Sequence, residues 1–177
     1  MEREGNSTGV GYPEMSKNME EQMQFKETSY PLERETLVPR FFKVISSTVA
    51  EINPLLDQFI DVVKNLPCAP ENEDDIRLAV YEALVNAIAH GNENDPARKV
   101  AVACFCECRD AENLLVVIRD EGSGFHPDTV PDPRSEEMLY ASHGRGIFLM
   151  RQLMDEVSYV NGGREVQMRK RSTHRCQ

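Results

Sequence analysis

Three short segments of this chain concentrate the residue types able to do chemistry. The first is EALVNAIAHGN over 82–92. Glu82, Asn86 and His90 lie four apart, a spacing that predicts one shared helix face. Beside apolar neighbours an unpaired polar group is costly. A carboxylate and an amide oxygen on adjacent turns suit Mg²⁺, held directly or through water, and the orientation of an attacking hydroxyl. A partly exposed polar stripe accounts for the same spacing. The second segment is Asp120-Glu-Gly122-Ser-Gly124-Phe125, after an apolar run. An Asp at a strand end accepts from an exocyclic amine, and two glycines let backbone pass close to a flat ligand. Taken alone it is also an ordinary turn. The third is Ser142-His143-Gly144-Arg145-Gly146-Ile147, ahead of a helical pattern. Glycines before a helix expose backbone N–H groups where the dipole favours anions, which makes a phosphate cradle, although glycines commonly precede helices.

Those segments need elements to position them, and the apolar pattern supplies an outline. RFFKVISS, from Arg40 to Ser47, reads as a strand. Val49, Ile52, Leu55, Leu56, Phe59, Ile60, Val63 and Leu66 then form a helical stripe that Pro67 and Pro70 end. A second helix is predicted from Glu71 to His90, acidic in its first turns, with Gly91 as its stop. Its stripe is Ile76, Ala79, Val80, Ala83, Leu84, Ala87 and Ile88. Strands follow at Lys99–Glu107 and Leu114–Asp120, and the prolines and polar residues of 127–143 read as a long loop. A helix at Gly146–Met154 and a hairpin of Glu156–Val160 with Glu165–Lys170 across NGG close the unit. This order predicts an α+β two-layer sandwich, one mixed sheet with helices packed on one face.

The chain has 177 residues, enough for one domain that folds without disulfide or metal. Residues 1–34 are polar and without period, and are expected to be a mobile tail. A short helix from Met15 to Phe25 packing on a partner is the other reading of that stretch. The folded domain is expected over 35–171, with a polar end at 172–177. A mean hydropathy of -0.49 agrees with some solvated length. No apolar run nears the roughly 20 residues that span a bilayer, and MEREGNSTGV is not a secretory signal. Those readings predict a soluble cytoplasmic protein with no membrane partner. A net charge of -10 and a pI near 4.9 speak against nucleic-acid binding through phosphates. The basic run Arg169, Lys170, Arg171 and Arg175 reads as a solvated end. Five cysteines without an export signal read as reduced thiols. Cys104, Cys106 and Cys108, two apart on one strand face, read as small buried hydrophobes rather than metal ligands.

The order and spacing of the three segments resemble the ATP-binding boxes of the GHKL superfamily, with its Bergerat-type fold. EALVNAIAHGN, RDEGSGF and GRGIFLMRQLMDEVSYV resemble one branch in particular, the anti-sigma-factor serine kinases of the RsbW and SpoIIAB type. The resemblance covers roughly Phe41 to Lys170 and leaves out the first 34 residues. It implies an ATP-dependent serine kinase with Mg²⁺, which phosphorylates a STAS-type anti-anti-sigma protein and sequesters a sigma factor. It also implies a homodimer. Carried over, Glu82 is the general base for the serine hydroxyl and Asn86 is the Mg²⁺ ligand, with His90 beside the nucleotide. Asp120 reads the adenine amino group over the turn of Gly122 and Gly124. Gly144, Arg145 and Gly146 wrap the phosphates under a lid from about His126 to His143. Two positions depart from the pattern. Gly163-Arg164-Glu165 stands where many relatives carry Gly-Thr, and Arg134 is the lid's one basic residue apart from histidines. Phosphate neutralisation then falls to Mg²⁺, the helix start and Arg145. An ATP-responsive binding module without phosphotransfer is the alternative. A histidine autokinase needs an upstream phosphoacceptor, and the first histidine here is His90.

Overall fold

The computed structural model describes residues 37–66, 73–107, 113–124 and 145–172. The expected tail (1–34), the lid (126–143), Gly144 and Cys108 lie outside them. Strand β1 (Leu37–Ser46) leads through a 3-10 turn (Val49–Glu51) into helix α1 (Ile52–Val63). Helix α2 (Glu73–Val85) continues directly into a π turn (Asn86–Gly91). Strands β2 (Lys99–Glu107) and β3 (Asn113–Asp120), helix α3 (Arg145–Leu153), and strands β4 (Glu156–Val160) and β5 (Glu165–Arg171) follow. The strands form one sheet in the order β1-β2-β3-β5-β4.

The helical stripes read from the sequence are the buried ones. Ile52, Leu55, Leu56, Phe59, Ile60 and Val63 of α1 are covered, as are Ile76, Ala79, Val80, Ala83 and Leu84 of α2. They pack against the alternate residues of the sheet that face them, Val100, Val102 and Cys104 on β2 and Leu114, Val116 and Ile118 on β3. Phe59 meets Phe41 of β1 edge to face at 5.4 Å. Val49 departs from the stripe and is 60% exposed, because the 3-10 turn places it ahead of the α-helical register. On the other face Ala103, Phe105, Leu115 and Val117 form a second, smaller cluster.

The α+β sandwich is as expected, but the sheet is not mixed. All four strand pairings are antiparallel. Between β1 and β2 the chain makes two helical passes, so it re-enters the sheet from the end it left. β3 and β4 run in the same direction, yet β5 lies between them and pairs antiparallel with both. The pairing of β1 with β2 shifts between Pro39 and Phe41, on an edge strand where a proline is tolerated.

Cys104 is a free thiol whose pKa burial pushes up to about 12, against the opposing charge of Arg40, so it stays protonated and inert. Cys106 is buried in the same cluster and is disulfide-bonded, which corrects the expectation of five reduced thiols. Among the described residues no group of His, Cys, Asp and Glu is placed to hold a metal by itself. No described helix is long and apolar enough to cross a membrane.

Candidate active site

The three chemistry-bearing segments meet around one cavity of about 220 Å³. Its apolar walls come from Ala83 of α2, Ile118 of β3, Met150 of α3 and Val166 of β5, and its polar groups include Asn86, His90 and Asp120. This volume lies below the ~300–1,000 Å³ of drug-sized sites, so the enclosed part suits a planar ring system rather than a whole nucleotide.

Helix α2 and the π turn that continues it bring Glu82 and Asn86 to one end. An ideal Cβ on Gly146, the second residue of α3, would lie 2.8 Å from Glu82 Oε2 and 3.3 Å from Asn86 Nδ2. The start of α3 therefore sits directly on these two side chains, and only a glycine leaves them room. Arg145 heads that helix and is exposed. Past Asn86 the helix widens. The Asn92 N–H bonds the Ala87 carbonyl at 2.8 Å, a five-residue step, and the Asn94 N–H bonds the Ile88 carbonyl at 2.8 Å. A π turn takes more residues per turn than the α-helix assumed in the sequence reading. His90 lies within this π turn and is exposed, and it lines the cavity.

Asp120 ends β3 at the opposite side. Its N–H bonds the Arg164 carbonyl at 3.0 Å, and its Oδ1 accepts the Gly122 N–H at 2.8 Å. Burial raises its pKa, while the Gly122 N–H, the Arg164 charge, its own backbone and Arg98 pull it back. Its carboxylate stands over Gly91, where an added Cβ would be 2.4 Å from Cγ. Gly122 is as tightly placed, since a Cβ there would lie 1.9 Å from the Gly91 carbonyl oxygen. Gly124, at φ +79°, passes so close to the turn between β4 and β5 that its Cβ would be 2.1 Å from the Gly162 oxygen. The second segment is thus a loop pressed between the end of α2 and that turn, with no room for side chains at its glycines.

Asn86, His90, Asp120, Gly124 and Gly146 all line the cavity, Gly122 braces Asp120, and Glu82 lies behind Gly146. Several participants were not singled out by sequence reasoning. Gly91 read only as a helix stop, but its φ is not in the left-handed region and its role is steric. Tyr159, from β4, lines the cavity, and burial pushes its pKa to about 12 against the charge of Arg151, so its phenol is neutral at pH 7. Only its alternation within β4 hinted that it faces inward.

A family model described as the histidine kinase-like ATPase domain matches residues 45–170. The chain belongs to this family. Curated relatives include the anti-sigma F factor of Anoxybacillus flavithermus, 30% identical over 138 residues, with 73% of this chain and 80% of that protein covered. The anti-sigma F factor of Geobacillus kaustophilus is 31% identical over 136 residues, covering 71% and 78%. Among solved structures, the histidine kinase domain of a blue-light activated histidine kinase from Erythrobacter litoralis is similar at 20% identity and a TM-score of 0.40. That match covers 67% of this chain and 58% of that one. Membership in an ATPase-domain family makes ATP the implied ligand.

Proposed function

We propose that this chain is an ATP-binding anti-sigma regulatory factor with serine kinase activity. It transfers the γ-phosphate of ATP to a serine of a STAS-type anti-anti-sigma protein and sequesters a sigma factor. It works in the cytoplasm as a homodimer whose ATPase unit runs over residues 35–171. One observation carries the reading of the site. Gly146 at the start of α3 lies against Glu82 and Asn86, while Asp120 stands at the other side of the same apolar cavity. The names of the curated relatives support the regulatory role.

The residues present fit the implied ligands. An apolar slot with an acceptor at its end suits adenine, and Gly146 on the cavity wall puts the N-terminus of α3, with its first-turn N–H groups, beside Asn86. Mg²⁺ bound between phosphates and one or two protein oxygens needs no cage of carboxylates, and Asn86 Oδ1 is the oxygen offered here. When bound, Mg²⁺ supplies charge neutralisation to the phosphates. Ionised Asp120 accepts from the adenine amine, with its carboxylate oriented by the Gly122 N–H. Gly144, Arg145 and Gly146 present backbone N–H groups to phosphate oxygens. Glu82 takes the proton of the incoming serine hydroxyl, and His90 borders the nucleotide from the mouth of the cavity.

Transfer of labelled γ-phosphate to a co-encoded STAS protein is the direct test. Labelled serine in that partner is the expected product. A second reading, an ATP-responsive switch without transfer, has one observation in its favour. Arg164 follows Gly163 where many relatives carry Thr, so the hydroxyl that supports the adenine contact in them is missing here. ATP binding without any labelled partner would favour that switch.

A further inference from the structure

Asn92 is the first residue past the π turn, and it is polar yet fully buried. Its Nδ2 donates to the Lys99 carbonyl at 2.9 Å, and its Oδ1 accepts the Glu121 N–H at 2.9 Å. Glu121 closes the circuit, its Oε2 accepting the Lys99 N–H at 2.8 Å. The end of α2, the start of β2 and the loop after β3 are thus joined in one ring of hydrogen bonds. The amide has only one orientation that works. Flipped, it would set oxygen against the Lys99 carbonyl and N–H against N–H at Glu121. A helix cap would need one end of that amide, and here both ends reach other segments.

The ring holds together the two stretches of backbone whose contact builds the polar end of the cavity. Gly91 precedes Asn92, and Asp120 and Gly122 flank Glu121. These are the residues that touch with no space for a Cβ. Asp120 is held at three points: its own N–H by the Arg164 carbonyl, its Oδ1 by the Gly122 N–H, and the next peptide by Asn92. Closed, fully satisfied polar networks rigidify what they join. We propose that Asn92 is a positioning residue for base recognition, and that through this ring it holds the Asp120 carboxylate in place at the purine end of the cavity. The proposal rests on reading that cavity as the nucleotide site.

The test compares wild type, N92D, E121A and E121Q by titration with Mg·ATP and Mg·GTP, well below each melting midpoint. N92D keeps size and acceptor but turns the donor into a second acceptor facing the Lys99 carbonyl. It is expected to lose about tenfold in ATP affinity and to narrow the ATP-over-GTP ratio several-fold. E121A, at an exposed position, should narrow the ratio less, and E121Q, which keeps an oxygen for the Lys99 N–H, should restore it. A residue that only supports the fold would lower the melting midpoint and leave that ratio alone. An unchanged ratio in folded N92D and E121A therefore overturns the proposal. If N92D does not fold, the E121A and E121Q pair decides. Absence of ATP binding in the wild type would overturn the nucleotide reading and this proposal with it.

Discussion

Gly91→Ala places one methyl group where the structure has no room for it. The new Cβ would stand 2.4 Å from Asp120 Cγ and 2.6 and 2.7 Å from its oxygens. Carbon–carbon contacts are optimal at about 3.5–4.0 Å, so the overlap is about 1 Å deep and the carboxylate must swing away. Backbone movement gives little relief, because the Gly91 carbonyl is already against Gly122 and Asn92 holds the Glu121 N–H. Rotation of Asp120 breaks its 2.8 Å bond from the Gly122 N–H and withdraws the acceptor from the cavity. A hydrogen bond to a charged group contributes about 1.5–3 kcal/mol, so ATP should bind roughly 10- to 100-fold more weakly. Overpacking costs about 1–3 kcal/mol, and the lower end applies where a side chain rather than backbone gives way. The reduced freedom of the unfolded chain returns about 0.4–1 kcal/mol of that. The expected variant is therefore folded, melts near the wild type, and binds ATP poorly. Calorimetry with Mg·ATP, beside a thermal melt, is the assay. A folded variant that binds ATP within about twofold of wild type would refute the placement of Asp120 as base reader.

Asn86→Ala should abolish Mg-dependent ATP binding, and calorimetry showing unchanged affinity in the folded variant would remove Asn86 from the site. Glu82→Gln should still bind ATP while phosphotransfer falls by roughly 10²–10⁴-fold, and equal transfer rates would exclude Glu82 as the base. Asp120→Asn acts on stability and binding in opposite directions. Burial raises the folded pKa of Asp120, so the native state holds this proton more tightly than the unfolded chain. Its contribution thus favours folding at low pH and is lost as pH rises through the raised value. The Asn variant should melt higher than wild type at neutral pH, with the gap closing on acidification, while ATP affinity and the ATP-over-GTP preference both drop. A lower melting midpoint at pH 7 would show that the charged carboxylate is a net stabiliser.

Local pattern in the sequence determined what local forces control. The spacing of Leu55, Leu56, Phe59, Ile60 and Val63 specifies the buried face of α1, because a helix repeats every 3.6 residues whatever it packs on. The bounds of β2 and β4 matched their apolar runs and flanking turns for the same reason. The three segments were legible because each concentrates its glycines and polar residues within a few positions of one another, and residues of all three line one cavity. Tertiary structure alone decided how these parts meet. That β5 lies between β3 and β4 depends on strand pairing across the domain, which no window of sequence contains. The π turn is a choice of hydrogen-bond partner, made where Asn92 must reach Lys99 and Glu121. Gly91 shows the limit most directly. In sequence it is a helix terminus, and only the approach of Asp120, 29 residues further on, reveals that the missing side chain is space for a carboxylate.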